Sequence, residues 1–194
     1  IREYIRNFIM SKLETNTIDT VSGTSNLTIG SSNASTITLK SGATLTNFPD
    51  NTPAFHATLS SIQQTSDATA TKIQFNSESF DTNNAYDNSS NYRFQPQVAG
   101  KYFIYTSISG RSNGTGQLTN LRTSLYKNGS ELIIAYGTDF RNSAGYQTLN
   151  YMGAVIDMNG STDYIEYFAR VDHTGGTNGG VDSGSYAGAY KIIE

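Results

Sequence analysis

Cysteine and tryptophan are absent from the 194 residues, and proline occurs only three times. Without cysteine there are no disulfides and no thiolate metal centres, so rigidity must come from sheet packing or from association of copies. Charge is scarce as well: 13 basic side chains face 16 acidic ones, 15% of the chain, with a net charge of -3. A nucleic-acid partner needs a basic footprint to neutralise phosphates, and this chain has none. No apolar run approaches the roughly 20 residues of a bilayer-spanning helix, so no membrane span is expected. Histidine occurs twice, at His56 and His173, far apart and without metal-ligand spacing, which leaves little for acid–base or metal chemistry.

What is abundant is small and polar: Ser, Thr and Asn together number 65 residues, a composition poor in helix formers. The chain is still 36% hydrophobic, with 13 Tyr and 9 Phe, enough apolar mass to bury a core. An all-β protein is the expectation.

The chain divides into three stretches. Residues 1–13 place Ile1, Tyr4, Ile5, Phe8, Ile9 and Leu13 at helical spacing with Arg2, Glu3, Arg6 and Lys12 mostly opposite, which predicts a short amphipathic anchor helix. At that length it is marginal alone and is expected to dock on another structure. Residues 14–48 form a Ser/Thr-rich stretch in which Leu27-Thr28-Ile29 recurs as Ile37-Thr38-Leu39. Such short strands bury too little singly. Three chains wound together could bury Ile18, Val21, Leu27, Ile29, Ile37, Leu39 and Leu45 along one axis, which predicts a trimeric β-stalk; a flexible linker is the alternative. Pro49 and Pro53 bracket a turn cluster that ends this module. Residues 53–194 form the head, with 12 of the 13 Tyr and alternating apolar and polar residues. Strands are predicted at 54–59, 72–75, 92–94, 101–109, 121–127, 132–136, 149–157, 164–171 and 186–193, with no helix between them, as in an antiparallel sandwich.

Ala54-Phe55-His56-Ala57-Thr58-Leu59, Ile73-Gln74-Phe75, Asn84-Ala85-Tyr86-Asp87, Phe94-Gln95-Pro96, Ala99-Gly100-Lys101-Tyr102-Phe103, Lys127-Asn128-Gly129 and Ser185-Tyr186-Ala187-Gly188 follow one another in the head. This ordered set resembles the globular head of complement component one, subcomponent q, and its tumour necrosis factor relatives. The resemblance implies a jelly-roll β-sandwich of roughly ten strands, assembled as a tight trimer with both chain ends at its base. Ile29, Leu39 and Leu45 in the stalk and Tyr102, Tyr105, Tyr151 and Tyr167 in the head are then the candidates for the subunit interface. The segments Met10-Ser11-Lys12-Leu13-Glu14-Thr15-Asn16-Thr17-Ile18-Asp19-Thr20 and Thr44-Leu45-Thr46-Asn47-Phe48-Pro49 resemble the N-terminal part of virion structural proteins of marine bacteriophages. That second resemblance implies a fibre or appendage on a virion, joined to another virion protein through residues 1–20.

The same family order places 111–120, 138–147 and 172–185 at the end of the head away from the stalk. Loops on a rigid scaffold are where recognition resides, so Arg111, Asp139, Arg141, Tyr146, Asp172, His173 and Asp182 are the candidates for contact with a host receptor or glycan. No catalytic set is expected: Asp163 and Glu166 are the nearest thing to a hydrolytic carboxylate pair, and strand-start charges are usually solvated. Cofactors are not expected, with Ca²⁺ at Asp81 and Asp87 as the one alternative to turn chemistry. The functional expectation is a phage virion protein whose trimeric head touches the host. Its alternatives are a capsid-decoration or head-fibre protein without specific receptor binding, and a cellular secreted trimeric adhesin or matrix protein.

Overall fold

The computed structural model describes residue 41 and residues 50–193, apart from 115, 116, 138, 141 and 175–178. The chain divides into Ile1–Thr46 and Asn47–Glu194, and the second unit is the subject below. The predicted helix at 1–13, the stalk at 14–48 and its interface candidates Ile29, Leu39 and Leu45 lie outside the described residues, as does Arg141.

Thirteen strands and no α-helix are present among the described residues: β1 (Ala54–Thr58), β2 (Gln63–Thr65), β3 (Thr71–Lys72), β4 (Ser77–Asp81), β5 (Tyr86–Asp87), β6 (Arg93–Phe94), β7 (Ala99–Ser112), β8 (Leu118–Lys127), β9 (Ser130–Tyr136), β10 (Gln147–Asn159), β11 (Ile165–His173), β12 (Gly179–Val181) and β13 (Tyr186–Lys191). They form two antiparallel sheets. In the first, β7 pairs with β10 on one side; on the other it pairs with β13, which leads to β1 and β4, and with β12, which leads to β2. The second runs β5-β6-β11-β8-β9, with β3 also on β11.

Alternation explains why the sheets face each other. Along β7, Tyr102, Ile104 and Ile108 are buried, while Phe103 and Tyr105 point the other way. Leu121 and Leu125 of β8 and Ile165, Tyr167 and Val171 of β11 complete the core from the second sheet. Phe55 sits at its centre, stacked 4.3 Å from Tyr86 and 5.0 Å from Phe94, with Tyr167 edge-on at 6.4 Å. Each such ring stabilises the fold by about 1.5–3 kcal/mol through burial alone. The two-residue turn Asn128-Gly129 between β8 and β9 has both φ values positive, at 54° and 77°, as its sequence predicts.

Four short strands, β2, β4, β5 and β12, are additions to the predicted set, and the 72–75 strand is reduced to Thr71–Lys72. The 72–75 segment runs beside Gln63. Its side-chain amide donates to the Lys72 carbonyl at 2.8 Å and accepts from the Gln74 N–H at 2.8 Å, taking the place of a ladder strand beside the buried Ile73 and Phe75.

The sandwich has two distinct ends. The Lys191 N–H donates to the carbonyls of Asn51 and Pro53, so the chain enters and leaves the head at one end. At the other end of β7, Gly110–Ser112 pairs with β12, and Arg111 pairs with Gln147 at the start of β10. There Ser112 bonds Tyr146, Leu118 bonds Gly145, and Thr174 bonds Gln117, through backbone groups.

Candidate functional site

The outer face of the first sheet is aromatic. Register puts Gly153, Tyr105, Gly188, His56 and Phe80 in one cross-strand row, with Val155, Phe103 and Tyr190 below it and Tyr151, Ser107 and Tyr186 above. Two glycines make room for the rings: a Cβ on Gly188 would come within 2.3 Å of the Tyr105 ring, and one on Gly153 within 2.8 Å of Phe103. The Tyr105 hydroxyl lies 3.1 Å from His56 Nδ1, and burial lowers the His56 pKa. On this face Leu149, Tyr151 and Val155 are 61%, 57% and 55% exposed.

Two of the head's interface candidates, Tyr105 and Tyr151, lie on this face. Tyr102 and Tyr167 are corrected: both are fully buried inside the chain. Tyr102 donates its hydroxyl proton to the Val98 carbonyl at 2.7 Å, and Tyr167 donates to the Gly188 carbonyl at 3.2 Å. Burial drives the Tyr102 phenol up to about 12 and raises Tyr167 as well. Tyr186, Tyr190, Phe80, Leu149 and Val155 on the aromatic face are absent from the predicted set. Strand parity carries the signal: Tyr102 and Tyr105 are three apart in one strand and cannot share a face.

At the far end, Arg111 organises a cluster. Its guanidinium donates to the Tyr146 hydroxyl, lies 5.2 Å from that ring's centroid, and pairs with Asp182 at 3.5 Å. Gln147 donates to the other Asp182 oxygen at 2.8 Å. His173 supports this cluster from beneath and is corrected as a contact residue, because its side chain is 0% exposed. Its Nε2 is 3.2 Å from the Arg111 carbonyl and its Nδ1 is 3.7 Å from Asp67, with the ring packed against Gly179, where a Cβ would collide.

Asp139 and Asp172 fall in a different place. They line an open concavity of about 480 Å³ with Thr119, Asn120, Arg122, Tyr136, Gly137 and Arg170. Arg122 Nη2 contacts both Glu131 carboxylate oxygens at 2.5 Å, and Arg170 Nε donates to Asp172 at 2.8 Å. The Ser124 hydroxyl and then Arg122 lower the Glu131 pKa. Arg122, Tyr136 and Arg170 are absent from the predicted set because they sit within strands, β8, β9 and β11, rather than in loops.

The remaining candidates have structural partners. Asp163 pairs with Lys127 at 2.9 Å and Glu166 with Lys72 at 2.6 Å. Asp81 accepts from the Ala85 and Tyr86 N–H groups, and Asp87 from those of Ser89, Ser90 and Asn91, so the calcium candidates cap turns. Among the described residues no three His, Cys, Asp or Glu side chains gather to hold a metal ion, and no helix is long and apolar enough to cross a membrane.

No family model matches the chain, and no curated protein matches it. Among solved structures, Eiger TNF from S. frugiperda is similar at 12% identity over 73% of this chain and 91% of that one, with a TM-score of 0.51. Murine APRIL is also similar, at 13% identity and TM-score 0.47 for the pH 8.5 structure and at 15% and 0.48 for the pH 5.0 structure, each over 72% of this chain and 98% of that one. The likeness to Eiger, together with the two packed sheets, makes the head a TNF-like jelly roll.

Proposed function

We propose that this chain is a virion structural protein of a bacteriophage that assembles as a homotrimer through the aromatic sheet face, with the far end of its head held toward the host surface. The observation that carries the assembly is the row of exposed and half-exposed rings across β10, β7, β13, β1 and β4. A lone soluble domain rarely leaves so continuous an apolar surface in water. Three subunits meeting on these faces would cover Tyr105, Tyr151, Phe103 and Tyr190 and leave the Arg111 cluster at the tip. The threefold order follows the family that the head resembles, and the particle follows the resemblance of residues 10–49 to marine phage proteins; residues 1–20 would join another virion protein. The role is binding rather than catalysis: Asp163 and Glu166, the nearest approach to a carboxylate pair, are held in ion pairs with Lys127 and Lys72, and His173 is packed inside the head. Three weak tip sites on one axis would gain avidity without a strong single contact.

The test is adsorption. Purified protein at saturating concentration should slow attachment of the virus to its host cells, and Arg111→Ala should weaken that competition. A second reading has an observation in its favour: Arg111 bonds Tyr146 and Asp182, and Gln147 bonds Asp182, so these side chains face one another, as in a tip that binds nothing. Protein that labels the capsid by immunogold imaging and never competes for adsorption would establish decoration instead.

A further inference from the structure

We propose that the concavity on the second sheet, between β8, β9 and β11, is a binding site for a neutral carbohydrate. The inference rests on the reading of the head as a surface-binding module, and it places a ligand site on the flank in addition to the tip. The volume of about 480 Å³ lies in the range of small-ligand sites, but the lining is polar where a site for an apolar molecule would be greasy.

Charge selects the ligand class. Arg122 and Arg170 are matched by Asp139, Asp172 and Glu131, so the site has no surplus positive charge to draw a phosphate, a sialate or a uronate. An anion would enter beside three carboxylates and gain no unmatched cation. A sugar hydroxyl is both donor and acceptor: it can give its proton to Asp139 or Asp172 while accepting from a guanidinium N–H, so it fits a surface where the two groups alternate. Asn120 and Thr119 extend the same chemistry along β8.

Tyr136 supplies what hydrogen bonds alone do not. It closes the β9 side of the concavity, is 70% exposed, and has the Arg122 guanidinium 5.9 Å from its ring centroid. An exposed aromatic of this size, next to polar groups on rigid strands, offers a platform for the C–H face of a pyranose. Gly137 follows directly. Its N–H donates to the Leu121 carbonyl at 2.8 Å, and a Cβ there would come within 2.9 Å of that same oxygen. This close approach ties the chain back to β8 immediately beyond Tyr136.

The experiment is an array of immobilised neutral oligosaccharides (hexoses and N-acetylhexosamines) and acidic ones (sialylated, uronate-bearing and sulfated), probed with the full chain. Neutral structures should be retained, and retention should persist at about 1 M salt, where screening removes attraction between exposed charges. Tyr136→Ala should weaken apparent affinity about tenfold, a loss typical of removing an aromatic anchor. Asp139→Asn should weaken it too, both variants keeping the unfolding midpoint. Retention of acidic structures alone, of nothing, or of neutral structures with equal strength by Tyr136→Ala and Asp139→Asn would overturn the site. If the protein competes for adsorption while the array stays blank, the host-contact reading stands and this inference fails. If neutral sugars bind through Tyr136 without adsorption competition, the reverse holds.

Discussion

At the scale of single residues, glycines and tyrosines with similar sequence surroundings have opposite roles. Gly188 carries no side chain because the Tyr105 ring and the Phe55 carbonyl, 2.8 Å from where a Cβ would stand, take up its space. Gly188→Ala should therefore destabilise the head by about 1–3 kcal/mol through overpacking, read as a lower urea midpoint at unchanged slope. Gly184, with nothing within 4 Å of its Cβ position, is the neutral control. Tyr102 and Tyr167 each use one hydroxyl on a carbonyl inside the core. Tyr167→Phe should cost about 1 kcal/mol for the lost hydrogen bond and leave self-association untouched. A change in oligomeric state in Tyr167→Phe would return that side chain to the interface.

At the scale of strands, the parity of β7 and β10 separates core from outer surface. Val155 and Tyr151 pair across the ladder with Phe103 and Ser107, while Met152 and Ile156 turn inward. The double variant Tyr151→Ser, Val155→Ser should leave folding intact and shift the protein to monomer in sedimentation at micromolar concentration; an unchanged assembly would place the interface elsewhere. His56 adds a pH dependence to this face. Burial lowers its pKa below 6.5, so between the folded value and 6.5 the unfolded chain holds more protons than the folded one. Stability contributed by neutral His56 is present above 6.5 and is lost as pH falls through that window. Urea midpoints taken from about pH 7.5 down to about pH 5 should fall more steeply for the native chain than for His56→Gln; parallel curves would contradict this.

Most long strands were legible because alternation and bounding turns announce them. The added strands β2, β4, β5 and β12 were not, because these short pieces carry no sustained alternation of apolar and polar residues. The tip loops were legible only in part: Arg111 lies in β7, Asp172 and His173 in β11, and β12 interrupts the predicted loop 172–185. The flank concavity was hidden because Arg122, Tyr136 and Arg170 come from three strands distant in sequence, joined only by register. Facing of tyrosines was readable in principle from parity within β7, and residue type alone misassigned Tyr102.

At the scale of the molecule, an all-β head without disulfides leaves one broad aromatic surface to be covered, a polar far end and a sugar-sized hollow on its side. Each is explained if three copies close on the aromatic face and turn the other surfaces outward. The deciding measurement is the solution mass of the intact chain by sedimentation equilibrium or native mass spectrometry across a dilution series. The account predicts a species of three times the 21.1 kDa chain mass that persists on dilution to nanomolar protein; a folded monomer stable at micromolar concentration would contradict it.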